Sequence, residues 1–600
     1  MEIVVGSRIH DYAKRLGIFL ITVALITGII SCEGGGCGGL AEWYLGTSSS
    51  EGGQVIVSGG PTFADGTVVM LEAVADECYE FVNWTGANVS DPYSPITTIT
   101  MDQAQNVTAN FARLNYDLTT GSTDGGEVTS PGEDTFACDC GAVVGLAAEA
   151  DEGYRFVQWT GDVGTVANVS AASTTITMQG DYAITANFIA RYNLTINSTD
   201  NGEVTIPGEA TFTYDAGAVV DLVADADVGY HFVEWTGDVG TVADVYAAGT
   251  TITMNGNYSI TADFGPFAGG NGTAENPYQI ADWYNLDNVR NYLDSHFIVM
   301  NDLDSNSIGY AELASGTANG GKGWEPIGNA THPFGGSING QGYEVCDLFI
   351  DRPDEPDVAL FGAIDQDGVI ENVGVVSGNV TGYSNAGGLV GKNEGTVAEA
   401  HSSGSVNGQS NVGGLVGWNF EGTVAEAHSS GSVNGQSNVG GLVGWSTGTL
   451  SNSYATGGVT GNSSVGGLAG KNGGTLSNSY ATGSVSGVDN VGGLVGKNDN
   501  TGTVSNSYAT GSVTGSTHVG GLVGKNQGTV SNSFWDTQTS GQGGSAGGTG
   551  KNTTQMMDFS TFFDGGWDIV AVANSSTRNT DHIWNIVDDV TYPFLSWQPV

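Results

Sequence analysis

The apolar positions in the second half of the chain recur with a period in the twenties. The phrase Gly-Gly-Leu-Val-Gly begins at Gly387, Gly413, Gly440, Gly466 (with Ala469 in place of Val), Gly492 and Gly520, at steps of 26, 27, 26, 26 and 28 residues. Behind most copies comes Gly-Thr-Val/Leu-Ser-Asn-Ser-Tyr-Ala-Thr-Gly, as in Gly448 to Gly457, Gly474 to Gly483 and Gly502 to Gly511, and a short Ser-Val-Thr-Gly phrase closes the unit. Three short β-prone runs per period, parted by glycine and asparagine, predict one coil of a parallel β-solenoid per unit. Coils stacked about 4.8 Å apart would set Leu over Leu inside and Asn over Asn at the corners. Glycine at the corners is expected to supply turns with φ > 0. Leu389, Val390, Leu415, Val416, Leu442 and Val443 recur in register, which a disordered glycine-rich tract does not require.

Upstream the period is longer and the pattern alternates. Phe81-Val82-Asn83-Trp84-Thr85-Gly86, Phe156-Val157-Gln158-Trp159-Thr160-Gly161 and Phe232-Val233-Glu234-Trp235-Thr236-Gly237 place their tryptophans 75 and 76 residues apart, and each module ends on Phe111, Phe188 or Phe264. Runs such as Tyr192-Asn193-Leu194-Thr195-Ile196 have the period-two signature of half-buried strands. Gly125-Gly126 and Asn201-Gly202 sit where hairpin turns are expected. Trp84, Trp159 and Trp235 invite a sugar-stacking reading, but each stands beside Phe and Val at the same place in its module, so a core position is favoured.

The 358–536 units resemble the GLUG-motif repeat family, with a degenerate first copy at Leu360-Phe361-Gly362 and Gly368 to Asn372. That resemblance implies a secreted or surface-displayed microbial protein, often adhesin-like. The three upstream modules resemble the divergent internalin-type B-repeat family, which implies small all-β spacers without catalytic residues of their own.

These patterns divide the chain into 43–112, 113–190 and 191–264 as β modules, 265–357 as cap and opening coils, 358–536 as solenoid, and 537–600 as C-terminal loop and cap. The expected fold class is all-β: tandem small β modules, then a parallel β-solenoid with short capping helices. Asp282 is placed to cap a helix carrying Trp283, Leu286, Val289 and Leu293 at three- and four-residue steps. Residues 553–563 read as one further helix, and the aromatics of 584–597 as a seal on the last coil.

Charge narrows the partners. With 64 acidic and 15 basic residues the net charge is −49, a surface that repels phosphate backbones and anionic membranes, so no nucleic acid is expected. At the N-terminus Arg8, Lys14 and Arg15 precede an apolar run from Leu16 to Ile30, the order of a signal peptide over 1–31. Ile29-Ile30-Ser31-Cys32 looks like a bacterial lipobox, a resemblance that makes Cys32 the lipidated residue and new N-terminus. Ile30 stands where Ala, Ser or Thr is usual, so ordinary cleavage nearby stays open. Residues 32–42 then read as a flexible tether, and any attachment is expected at this end. Apart from Cys32 five cysteines remain, an odd number that argues against a closed disulfide framework. Cys138-Asp139-Cys140 lacks a second pair at zinc spacing.

Chemistry is sparse. Between Gly387 and Val530 the acids are only Glu394, Glu399, Glu421, Glu426, Asp489 and Asp499, whereas glycan-cleaving solenoids need clustered carboxylates or a cationic base. There is no His-Glu-x-x-His signature, nor a Gly-x-Ser-x-Gly elbow in a strand-to-helix setting. Asp302-Leu303-Asp304 begins like a calcium loop without completing one. One patch stands out: Val397 to Trp418 is identical to Val424 to Trp445, so Glu399, His401, Glu426 and His428 repeat in two adjacent coils. Two-residue alternation would set Glu399 beside His401, with Glu426 and His428 one coil away, a candidate for a divalent cation or a pH-sensitive spot in which the imidazoles are stabilised as cations. The ordinary alternative, a solvent-facing copy of an Asn/Tyr ladder, is favoured. Taken together, the expectation is a surface-anchored, non-catalytic, adhesin-like or structural display protein without cofactor. Its partner would be an unknown surface ligand, a glycan or a matrix protein, and its membrane contact the N-terminal lipid alone. The alternative is a glycan-processing lyase or hydrolase.

Overall fold

The computed structural model describes residues 41–599, so Cys32 and the proposed signal segment lie outside the described residues. Contacts divide the chain into two compact units, one ending at Ile189 and the other beginning at Ala190.

The first unit holds two modules of one design. In module 1 the strands Glu42–Ser49, Thr62–Ala64, Tyr79–Thr85 and Gln105–Arg113 form a four-stranded sheet, and Gly53–Val57, Thr67–Ala75 and Ile96–Met101 form a three-stranded one. Module 2 repeats the arrangement, and module 3, in the second unit, does so again. In each module the first and last strands of the larger sheet pair in parallel, Leu45 opposite Gln105 in module 1 and Leu194 opposite Tyr258 in module 3. The expected turns at Gly125 and Asn201 do have left-handed φ, 101° and 79°. They are not hairpins, because the strands on either side pair into different sheets. Burial then follows the alternation: Leu118, Leu146, Trp159, Ile176 and Ile184 are inside in module 2.

The disulfide framework expected to be absent is present in part. Cys78 and Cys140 are bonded across 62 residues of sequence, joining a turn of module 1 to a turn of module 2. Parity was no guide, because Cys138 and Cys346 remain thiols beside the closed pair and the fifth cysteine, Cys37, lies outside the described residues.

In the second unit, four sheets of parallel strands run along the solenoid, of ten, nine, twelve and seven strands. Register is one residue over its equivalent: Val397 on Val424, Val424 on Leu450, Leu450 on Leu476. Leu389, Leu415, Leu442, Leu468, Leu494 and Leu522 are fully buried in one continuous core. Beside them runs an internal amide ladder, in which Asn393 donates to Asn419 Oδ1 at 2.7 Å and Asn472 to Asn498 Oδ1 at 2.8 Å. Buried amides are tolerable here because each coil satisfies the next.

The corners stack Asn over Asn as expected, but the left-handed φ expected of glycine is taken by other residues. Left-handed corners are occupied by Asn385, Asn411, Asn438 and Asn490 in one row and by Glu399, Glu426, Asn452 and Asn478 in another, with φ between 49° and 53°. The Gly-Gly pairs are needed for close packing: a Cβ on Gly414 would lie 2.2 Å from the Gly441 carbonyl oxygen, and one on Gly441 2.1 Å from that of Gly467.

The N-terminal cap helix forms where Asp282 predicts but is shorter than the spacing implies, with Val289 in a 3-10 turn and Leu293 beyond it. Asp282 accepts from the Asn285 amide at 2.8 Å, and helix Trp283–Asn288 passes into a single 3-10 turn, Val289–Asn291. Asp282 also receives His231 Nε2 at 3.0 Å, so module 3 is tied to the cap. The expected helix over 553–563 is two, Thr553–Met556 and Phe559–Phe563, each with its own N-cap, Asn552 and Asp558. Among the described residues no helix is long and apolar enough to cross a membrane.

Candidate functional site

Residues that face outward from the stacked strands form rows, and two rows carry chemistry. The first holds the flagged histidines. His401, His428, Tyr454, Tyr480 and Tyr508 are in register, and their rings stack at 5.0, 4.7, 5.0 and 5.0 Å with interplanar angles of 4° or 5°. This row is a packing surface. The C-terminal segment lies along it: Trp597 donates from Nε1 to the Asn452 carbonyl at 3.0 Å, Gln598 from Nε2 to the Tyr480 hydroxyl at 2.6 Å, and Tyr508 from its hydroxyl to the Pro593 carbonyl at 2.6 Å. Tyr508 is 2 % exposed, in a cluster with Phe534, Phe562, Trp567 and Trp584. The aromatics of 584–597 therefore cover the side of the solenoid, while Ser545 bonds the Leu522 and Val523 amides of the last coil.

That burial decides the protonation chemistry. It pushes the Tyr480 and Tyr508 hydroxyls up, and it pushes His428 down to about 4, helped by the neighbouring His401. The expectation of imidazoles stabilised as cations is thus reversed at His428, because its flanks are aromatic rings. Nor do Glu399 and Glu426 share a strand face with the histidines. Strand Thr396–Ala398 ends before Glu399, and His401 opens the next, so the two-residue alternation is broken by the left-handed corner between them. His401 instead reaches Glu344, Nε2 to Oε1 at 3.5 Å. Among the described residues no three His, Cys, Asp or Glu side chains converge as a metal site would need.

The other sequence candidates resolve into structural roles. Trp84, Trp159 and Trp235 are 3 %, 1 % and 1 % exposed and donate to the carbonyls of Ser94, Ala171 and Ala247. Each stands 5.5, 5.7 and 5.5 Å from its Phe partner, which leaves no face for a sugar. Asp304 closes a turn by accepting from the amides of Asn306 and Ser307. Cys138 and Cys346 are thiols whose partial burial raises them, Cys346 to about 11 with Glu344 adding to the effect.

A second outward row is the one sequence reasoning passed over. Lys392, Trp418, Trp445, Lys471, Lys497 and Lys525 stand in register on the seven-stranded sheet. They are the outward residues of strands Val390–Asn393, Val416–Asn419 and their successors. The two indoles stack at 5.1 Å and 10°. Lys392 lies over Trp418 at 5.4 Å and Lys471 over Trp445 at 4.1 Å, so cations close both ends of the pair. Lys392 pairs with Glu394 at 2.6 Å, and Asp499 takes both Lys471 at 2.9 Å and Lys497 at 2.8 Å. Burial works against the Asp499 carboxylate, but the bonds from Lys497 and Lys471 outweigh it and hold that group below its usual range. The signal was legible: the residue after Gly-Gly-Leu-Val-Gly is Lys or Trp in every copy.

Comparison with known proteins identifies both repeat types. The model of the divergent InlB B-repeat domain matches residues 44–115, 116–191 and 192–267, and that of the GLUG motif matches 435–460, 461–486 and 487–514. A candidate Gly-rich membrane protein of Evansella cellulosilytica is 40 % identical over 141 residues, which are 23 % of this chain and 15 % of that protein. Halomucin of Haloquadratum walsbyi is 37 % identical over 134 residues, 21 % of this chain and 1 % of that one. The matches thus span a small part of either relative's length. A crystal structure of a candidate immunoglobulin A1 protease from Bacteroides ovatus aligns over 56 % of this chain and 96 % of its own, at 21 % identity and a TM-score of 0.36, too low to carry an argument. The chain is built from three divergent InlB B-repeat domains followed by a β-solenoid that contains GLUG motifs.

Proposed function

We propose that this chain is an extracellular, surface-displayed, non-catalytic protein in which the B-repeat modules serve as spacers and the solenoid presents a binding face. The observation that carries the reading is repetition itself: one outward side chain per coil, in register over successive coils, gives a ligand with its own repeat many weak contacts at once. The names of the relatives, a Gly-rich membrane protein and a halomucin, favour a place at the cell surface. The ordinary partner is a glycan or matrix protein met outside the cell.

The test is to apply the whole chain to an array of polysaccharides and matrix proteins beside a depolymerisation assay on the same glycans. Binding without product release supports the reading, and chain cleavage overturns it in favour of a glycan-processing enzyme. Anchoring is tested separately. Cys32→Ser should move the protein from the membrane fraction to the medium, and unchanged retention and gel mobility would count against a lipid on Cys32.

A further inference from the structure

The solenoid segment 358–536 contains four basic residues, Lys392, Lys471, Lys497 and Lys525, and no arginine. All four lie in a single outward row, and the coils between the first and second carry Trp418 and Trp445 at the same position. In a protein of net charge −49, the solenoid's whole cationic complement is thus gathered on one line. Every side chain in this row donates and none accepts. The indole N–H groups of Trp418 and Trp445 are buried without an acceptor, so the donors this row offers a ligand are its four ammonium groups; among the described residues Lys525 has no ion pair while the other three lysines have one each. Glu394 and Asp499 hold the ammonium groups along the line.

A row of donors fits an acceptor-rich ligand, and its spacing chooses among them. At about 4.8 Å per coil the row is roughly 24 Å long, with one ammonium group per ~6 Å and, once Glu394 and Asp499 are counted, one net positive charge per ~12 Å. Duplex nucleic acid carries about one negative charge per 1.7 Å. It would therefore bring several uncompensated charges for each lysine to an already acidic surface. A polymer with one carboxylate per one or two sugar rings is far sparser. Beside the row runs the corner ladder, in which Asn411 donates to Asn385 at 2.7 Å and Asn438 to Asn411 at 2.8 Å, amides of the kind that bond hydroxyl groups. We propose that this row and its amide flank are the docking stripe for a linear acidic polysaccharide lying along the solenoid axis. The proposal rests on the display reading above and names its ligand class.

The experiment measures binding of the full chain to a polyuronate, a neutral glucan of similar length, single-stranded DNA and poly-glutamate. Each is tested against the parent, Lys525→Gln, and the triple variant Lys471→Gln, Lys497→Gln, Lys525→Gln, with the cap variant Lys322→Gln as control. The polyuronate should bind the parent, lose affinity as salt rises, and bind the triple variant about tenfold more weakly at low salt, as the loss of a few exposed ion pairs would give. Lys525→Gln, which breaks no ion pair, should show part of that loss at unchanged melting temperature. Equal polyuronate binding by parent and triple variant overturns the proposal, as does DNA or poly-glutamate binding as tight as the polyuronate. Binding of the neutral glucan alone, indifferent to the lysines, overturns it while leaving the display reading intact. Failure to bind any polymer overturns the stripe, and polymer cleavage overturns the display reading itself.

Discussion

The B-repeat modules and the solenoid use the same residue types in opposite ways. Each module gathers its aromatics into one closed core, with Trp159 against Phe156 and Phe156 against Phe188 at 5.8 Å. The solenoid spreads its core along an axis, one Leu and a few Val per coil, so that each coil is completed by its neighbours. A module should therefore fail alone and completely, whereas a coil should fail through its interfaces.

The largest effect should come from breaking register. Deleting 387–412 removes one 26-residue coil and rejoins equivalent positions, above the reach of the C-terminal segment, whose contacts extend back to His428. That variant should keep a cooperative calorimetric transition. Deleting 387–399 leaves half a coil and should abolish it, because every ladder beyond the cut is displaced. Equal behaviour of the two would deny the nearest-neighbour picture.

Next comes the closed core. Trp159→Ala should cost about 3–5 kcal/mol and expose module 2 to hydrogen exchange, with protection in the solenoid unchanged. Loss of protection in both regions would show that they are not independent.

Glycine sharpens the contrast at smaller cost. Gly441→Ala forces a Cβ to 2.1 Å from a neighbouring coil's carbonyl oxygen, and overpacking of this kind costs about 1–3 kcal/mol. Gly145, in a strand of module 2, has nothing within 4 Å of the same added atom. There Gly→Ala should stabilise by roughly 0.5–1 kcal/mol, read as a rise in that module's melting temperature.

The effect that is smallest at neutral pH, where it vanishes, is the pH dependence. His428 titrates near 6.5 when unfolded and at about 4 in the fold. Between these values the unfolded chain binds a proton that the folded chain does not, so stability should fall as pH falls through that window and be unaffected above it. His428→Gln should flatten the slope of melting temperature against pH from 6.5 to 4. A slope unchanged by the substitution would place the sensitivity elsewhere.

Much of this was legible before any coordinates. The 26-residue step required stacked coils, since no other arrangement buries Leu389, Leu415 and Leu442 in register. The 75-residue recurrence of Phe-Val-x-Trp-Thr-Gly marked a core, because one aromatic per module at one position is what a closed β module needs, and Asp282 announced its helix through cap chemistry that acts within a few residues. What sequence could not decide was which outward row meets solvent. His428 and Tyr454 read as surface residues, and they are covered because a segment more than a hundred residues later, ending in Trp597 and Gln598, folds back over them. The Cys78–Cys140 bond was hidden for the same reason, as parity says nothing about which turns are adjacent in space. Periodicity records interactions that repeat along the chain, and so it specified the coil, the register and the core. Contacts made once, between segments of unrelated sequence, leave no period, and only the tertiary structure could show that the C-terminal segment overlies the Tyr row.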